Sequence, residues 1–248
     1  MGKLLDRQSH APTIPPLVEG DRLTLDEYWR RYEADEEVVR AELIDGVVYV
    51  NARRAFANGQ EAIASPISGE DHGDPLSLIQ GWLAYYSAYT PGVVSSSSFS
   101  VRMSERTAPE PDAVLRIRPA FQEPSTVARS TSLDQLPELV VEVANSSAKR
   151  DLGPKFLAYQ AVGIEEYIVW QTVSGIIDWF VLMQSKYEPL KADAEGILRS
   201  PTFPGLWLDG AAIRESDMAK VFEVLNLGLA STEHVAFAAK LRANAAKK

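Results

Sequence analysis

The 248-residue chain contains no cysteine and only three histidines, His10, His72 and His234. The first absence excludes a disulfide framework, cysteine-based zinc or iron–sulfur centres and thiol nucleophiles. The second leaves imidazoles too few and too scattered for a histidine-rich metal centre. Any bound metal has to rest on carboxylates, which points to hard cations such as Mg²⁺ or Mn²⁺. Basic residues are also outnumbered, with 25 Lys and Arg against 34 Asp and Glu and a formal charge of −9. No global positive field draws in nucleic acid, so such a partner needs a local basic strip or a bridging metal ion. No stretch approaches the roughly 18 apolar residues of a membrane span, and the N-terminus lacks an apolar run with a cleavage site. The expectation is a soluble cytoplasmic protein with no membrane partner.

What is present is an ordinary globular balance, 46% hydrophobic and 24% charged, at a length suited to a single core. Residues 1–23, with Pro12, Pro15 and Pro16, read as an extended arm. Thr24 precedes a run with acidic residues in its first turn, which predicts a helix over 25–34. Two β-rich runs, 40–44 and 47–50, flank Asp45-Gly46, the dipeptide best suited to a type I′ hairpin turn. The polar segment 51–73 shows no periodicity and reads as a loop. Asp74-Pro75 supplies an N-cap and a first-turn proline for a helix over 75–89, which Pro91-Gly92 ends.

Beyond it, 93–103 reads as a partly exposed strand, and 113–117 and 139–143 as short strands. The last of these is almost wholly apolar, as suits a central strand covered on both faces. Between them 118–137 is a loop with a short turn. Residues 151–162 predict a helix that tolerates Pro154 in its first turn and ends at Gly163, followed by strands at 167–170 and 175–182. Strand, helix, strand in that order implies a crossover and parallel pairing. Ile197-Leu198 and 204–207 form a closing strand and turn. A core domain over 24–210 is followed by a C-terminal helical extension, 211–248, whose last helix starts at the N-cap Ser231 and runs to about 244.

Strand periodicity places Glu142 on the same face as Val140 and Ala144. Either it reaches solvent at the strand end, or it needs a metal, a cation or several donors, because an unpaired carboxylate beside apolar neighbours is costly to ionise. Asp112, directly after Pro111 at the head of another strand, is unremarkable alone. If the two strands are neighbours, the two acids converge at one sheet edge and offer two hard ligands to a divalent cation. Lys155 flanks the apolar stripe formed by Leu152, Phe156 and Tyr159. It either reaches back towards that edge or snorkels to the surface. Local basic residues include Lys149 and Arg150 before it, and Arg102, Arg106, Arg116 and Arg118 around the strand after Asp112. Alternation sends Arg116 and Arg118 to one face, where they are either a basic strip beside the site or solvated surface charge.

The segments Ala41-Glu42-Leu43-Ile44-Asp45-Gly46, Glu110-Pro111-Asp112-Ala113-Val114, Leu139-Val140-Val141-Glu142-Val143, Arg150-Asp151-Leu152-Gly153-Pro154-Lys155 and Tyr159…Gly163-Ile164-Glu165-Glu166-Tyr167 stand in a specific order and spacing. In both they resemble the Uma2 family (formerly DUF820) of the restriction-endonuclease-like, PD-(D/E)xK superfamily. The resemblance implies an α/β fold with a restriction-endonuclease-like core, a mixed β-sheet flanked by helices, and an N-terminal β-hairpin. It also implies Asp112 and Glu142 as Mg²⁺ (or Mn²⁺) ligands, Lys155 as the catalytic lysine, His72 and Glu42 as further site residues, DNA as substrate and a homodimer. The superfamily's usual lysine position, two residues after the acid, is Ala144 here, and Lys155 fits the migrated position on the next helix. Other departures are the absence of a proline in Ala144-Asn145-Ser146-Ser147 and Gln171 where an acid is common.

The sequence is compatible with three functions. The first is a metal-dependent endonuclease with Lys155 assisting water attack. The second is a catalytically inactive nucleic-acid-binding or assembly module of the same fold, and the third a hydrolase of another phosphate ester. The charge balance adds an expectation of weak non-specific DNA affinity without divalent metal.

Overall fold

Thr24 Oγ1 accepts the Glu27 amide and caps helix α1, which occupies Leu25–Ala34. Strands β1 (Val38–Ile44) and β2 (Val47–Ala57) are joined at Asp45 and Gly46, whose φ angles of 47° and 76° are those a type I′ turn demands. These features come from a computed structural model that describes residues 14–57, 60–64, 72–97, 100–122 and 135–247. The loop expected over 51–73 is instead strand in its first part. β2 continues to Ala57 and pairs with β3 (Gln60–Ala64), completing a three-stranded antiparallel sheet. The pairing runs through the backbone, so a polar, non-alternating sequence carries no sign of it. The rest of that loop, 65–71, and the arm over 1–13 with His10 lie outside the described residues. Leu17 is wholly buried with Leu25, Tyr28, Ala41, Leu43 and Val48, so the described end of the arm is docked on the hairpin.

Helix α2 spans Asp74–Tyr89. Its N-cap is Gly73, already in a helical conformation, so Asp74 is the first helical residue and not the cap expected of it. Strand β4 (Val93–Ser96) is shorter than the strand expected over 93–103. Val101 and Met103 turn back on their own loop, donating to the carbonyls of Pro109 and Thr107. β5 (Ala113–Ile117) and β6 (Leu139–Ala144) follow, with a short 3₁₀ turn at Pro119–Phe121 between them.

The next helix, α3, is one rod made of an α-turn Ala148–Arg150, a π-turn Asp151–Lys155 and an α-helix Phe156–Val162. It begins three residues before the expected start, so Pro154 falls beyond the first turn. Proline has no N–H for the i−4 carbonyl, and the widened turn accommodates it, with the Phe156 amide donating to Asp151. Gly163, at φ 88°, ends the rod.

β7 (Glu166–Gln171), β8 (Ile176–Met183) and the unanticipated edge strand β9 (Lys186–Pro189) complete a six-stranded sheet ordered β4-β5-β6-β7-β8-β9. All its pairs are antiparallel except β6 with β7, the parallel pair across the α3 crossover. β10 (Ile197–Arg199) and β11 (Trp207–Asp209) form a separate ribbon, and helices α4 (Gly210–Arg214), α5 (Met218–Leu229) and α6 (Thr232–Ala245) close the described chain. Ser231 caps α6 by accepting the His234 amide.

Alternation along β6 explains the layering. Leu139, Val141 and Val143 join Ile79, Trp82 and Tyr86 of α2 and Val221, Leu225 and Leu241 of α5 and α6 on one face. Val140 and Ala144 join Tyr159 of α3 and Tyr167 on the other. The mixed sheet is therefore covered on both faces, as a wholly buried β6 requires. Among the described residues no helix is long and apolar enough to cross a membrane.

Candidate functional site

β5 and β6 are adjacent and antiparallel with Ala113 opposite Val141, so Asp112 and Glu142 come to the same end of the strand pair. Both are buried. Asp112 Oδ2 accepts the Val143 amide at 2.8 Å, while Oδ1 lies 2.9 Å from Arg40 Nη2 and 3.6 Å from His72 Nε2. Glu142, on the α3 face of β6, receives two donors on Oε1: Lys155 Nζ at 2.6 Å and the Tyr159 hydroxyl at 2.8 Å.

The hairpin reaches this site by a backbone bridge. Leu43 and Ala108 exchange both amide hydrogen bonds, which sets Glu42 beside the Glu110 backbone. Glu42 Oε1 accepts the Glu110 amide at 2.8 Å and Lys155 Nζ at 2.7 Å, and Oε2 accepts Asn51 Nδ2 at 3.0 Å. The π-turn of α3 places Asp151 and Lys155 together on the inward side, each 2% exposed. π-turns inside helices recur at functional sites, and this one brings the ammonium between Glu42 and Glu142. Lys155 is therefore a buried cation, and the surface alternative is set aside.

The site opens into a cavity of about 600 Å³ whose wall also includes Tyr49, Arg53, Lys149 and Arg150. Arg150 lies over the Tyr49 ring, 5.1 Å from its centre, with Nη2 3.7 Å from Glu42 Oε2. Arg116 and Arg118 do not line it. They sit four and six residues on from Asp112, at the other end of β5, about 13 Å or more away at a strand's rise per residue. The local basic residues are those of the hairpin and of the start of α3.

Burial disfavours ionisation of Glu42, but Lys155 and Arg150 hold its carboxyl below the usual range. Asp112 follows the same pattern: burial opposes its charge and is outweighed by His72, Arg40 and Lys155. For Glu142 burial wins and pushes the carboxyl well above its ordinary value despite Lys155. Glu110 is pushed by burial to about 7, and Asp151 is raised for the same reason. Burial works against the Lys155 charge, but Glu142, Glu42 and Asp151 together raise it, so the side chain stays protonated.

Five buried carboxylates (Glu42, Glu110, Asp112, Glu142, Asp151) thus face three cations, Arg40, Arg150 and Lys155. Glu110 Oε2 and Asp151 Oδ1 are buried without a hydrogen-bond partner among the described residues. Clustered hard oxygen donors, two of them buried and unpaired, fit a divalent cation. Among the described residues no three His, Cys, Asp or Glu side chains form a ready ligand set. A cation here would rest on Asp112, Glu142 and water, which suits Mg²⁺, an ion that usually keeps several waters.

All five residues singled out in the sequence, Glu42, His72, Asp112, Glu142 and Lys155, line one cavity. Arg40, Glu110 and Asp151 were not assigned to the site from sequence. Glu110 and Asp151 stand inside the family-like segments, whereas Arg40 in a half-exposed hairpin strand carries no local signal. Tyr159 belongs to the apolar stripe and to a family-like segment, but spacing does not show where its hydroxyl ends.

Comparison with known proteins gives a family and a fold. The sequence model of the Uma2 family, described as "putative restriction endonuclease", matches residues 25–211. A solved structure described as a "putative nuclease belonging to DUF820" from Anabaena variabilis aligns over 82% of this chain and 99% of its own, with a TM-score of 0.52 and 12% identity. At that identity the likeness is one of fold. No curated protein matches the chain.

Proposed function

The chain belongs to the Uma2 family, and from that premise we propose that it is a metal-dependent endonuclease hydrolysing phosphodiester bonds in DNA. In this reading Asp112 and Glu142 hold Mg²⁺ or Mn²⁺. The family and the fold support a nuclease-like activity in general. The observation that carries the finer reading is the convergence of Asp112, Glu142 and Lys155 on one cavity from a strand entrance, a central strand and a crossover helix.

When bound, the cation supplies Lewis-acid charge to the scissile phosphate and a more acidic water. The chain's own residues do the positioning. Lys155, protonated and held by Glu42 and Glu142, is too strongly cationic for a general base. It acts as fixed positive charge that orients the attacking water and stabilises charge developing on phosphorus oxygens. Glu42 sets the ammonium in place, and Tyr159 fixes the rotamer of Glu142. Arg53, Lys149 and Arg150 offer the cavity wall to the phosphate backbone. Cutting both strands is simplest with two such sites, and a homodimer belongs to the proposal.

One observation favours the second reading, an inactive module of the same fold: Arg40 Nη2 holds Asp112 Oδ1 at 2.9 Å, where a metal would bind. Incubation of supercoiled plasmid and single-stranded DNA with Mg²⁺, Mn²⁺ or EDTA separates the two. The expected outcome is cation-dependent cutting by the wild type, lost in folded Asp112→Asn and Glu142→Gln. Cutting that survives both substitutions overturns the mechanism, and no cutting by the wild type leaves the inactive module.

A further inference from the structure

Every hydrogen bond that Asp112 makes can be assigned to one of its two oxygens. Oδ2 is taken by the Val143 amide at 2.8 Å, a backbone contact fixed by the β5–β6 register. Oδ1 is the oxygen left for any other partner, and in this structure Arg40 Nη2 sits 2.9 Å from it. The arginine is held there by more than the ion pair. The same Nη2 donates to the Glu110 carbonyl at 2.8 Å, and Nε lies 3.3 Å from Glu110 Oε1. Strand β1 supports this reach, because its pairing with β2 is irregular on both sides of Arg40. His72 Nε2, 3.6 Å from the same oxygen, is buried without a hydrogen-bond partner among the described residues, so it does not complete the site in Arg40's place.

We propose that Arg40 is the internal counterion of Asp112 and a direct competitor of the divalent cation for Oδ1. The inference rests on the metal reading given above. A Mg²⁺ or Mn²⁺ ligand distance is about 2 Å, so a cation on Oδ1 and a guanidinium 2.9 Å from that oxygen would place three positive charges within a few ångströms in a poorly solvated site. The two do not share the oxygen, and the metal binds as the guanidinium gives way. Arg40 is therefore a positioning residue. It keeps Asp112 oriented in the absence of metal, and the strength of its hold sets how much cation the site needs. Lys155 does not compete in the same way, since its contact falls on Glu142 Oε1 and not on Oε2.

The test is calorimetric titration of the full chain, stripped of metal, with Mn²⁺, comparing wild type, Arg40→Gln and Arg40→Lys. Removing the charge is expected to tighten Mn²⁺ binding about tenfold or more, the scale on which one neighbouring charge acts in a buried site. The lysine variant should remain near wild type. Equal or weaker binding by folded Arg40→Gln overturns the competition while leaving the metal site intact. No binding by any of the three overturns the metal reading and the inference with it.

Should the glutamine variant fail to fold, the wild type decides. The Arg40 Nε–H resonance of ¹⁵N-labelled protein, assigned by its loss in Arg40→Lys, is expected to move on Mg²⁺ saturation. A resonance that stays in place at saturation overturns the proposal.

Discussion

Lys155 Nζ stands 2.7 Å from Glu42 Oε1 across 113 positions of sequence, and the same ammonium touches Glu142 Oε1 at 2.6 Å. One buried cation thus ties the N-terminal hairpin to the central strand. Removing one partner of a buried pair costs more than the pair contributes, because the other charge is left uncompensated. Lys155→Met strands two carboxylates and is expected to cost about 3–5 kcal/mol. Glu42→Gln leaves the ammonium on Glu142 and should cost less. In urea unfolding the double variant should be more stable than the sum of the two predicts, by about 1–3 kcal/mol. Additive losses would mean that the two side chains do not interact.

Tyr159→Phe removes a hydroxyl that donates to Glu142 Oε1 at 2.8 Å and changes little in volume. Deleting a donor from a buried, hydrogen-bonded acceptor costs about 1–3 kcal/mol. If Glu142 is a ligand and Tyr159 only fixes its rotamer, cleavage should fall far less than in Glu142→Gln. Loss of activity as complete as in Glu142→Gln would place the tyrosine among the reacting groups.

A pH dependence follows from Glu138, which lies outside the site. It is buried, accepts the Ile117 amide at 2.8 Å and Gln122 Nε2 at 2.6 Å, and is pushed by burial from 4.5 to about 7. Its folded pKa lies above the unfolded one, so the folded protein binds this proton more tightly. The penalty is absent below about pH 4.5, grows between 4.5 and 7, and is full above 7, where it reaches at most about 3 kcal/mol. Glu138→Gln should therefore leave stability at pH 4 nearly unchanged and raise it at pH 8. A variant as unstable as wild type at pH 8 would refute the assignment.

What was legible in the sequence was local. The Thr24 cap, the Asp45-Gly46 turn, Gly163 and the Ser231 cap each depend on chemistry within a few residues, and each stands where expected. The parallel pairing of β6 and β7 was legible because a helical crossover admits little else. β3 and the far half of β2 were not, since their pairing runs through the backbone and their sequence does not alternate. In the site, Glu142 alone stands out as a costly carboxylate beside apolar neighbours, whereas Asp112 and Lys155 take their roles from the family resemblance. Arg40 does not stand out, because its partner lies 72 positions away and nothing in its own strand announces it.

The C-terminal helices can be tested by adding a single methyl group. Gly228, in α5, packs so closely on the Phe203–Trp207 turn that a Cβ there would lie 2.3 Å from the Gly205 carbonyl oxygen and 2.9 Å from Trp207 Cγ. That turn is fixed from the other side: Trp82 Nε1 donates to the Trp207 carbonyl at 3.0 Å, and the Tyr86 hydroxyl to that of Pro204 at 2.9 Å. Alanine ordinarily improves a helix interior by about 1 kcal/mol over glycine. At position 228 the obstacle is backbone held by α2, so overpacking costs about 1–3 kcal/mol or more and should outweigh that gain. Gly81, in α2, is the control, since a Cβ there would meet only Met218 Cε at 3.8 Å, an ordinary contact. Gly81→Ala is expected to keep or raise the melting temperature, and Gly228→Ala to lower it by several degrees. If both variants melt above the wild type, α5 does not clamp the turn, and the close approach of the C-terminal helices to the α2 face of the sheet is wrong.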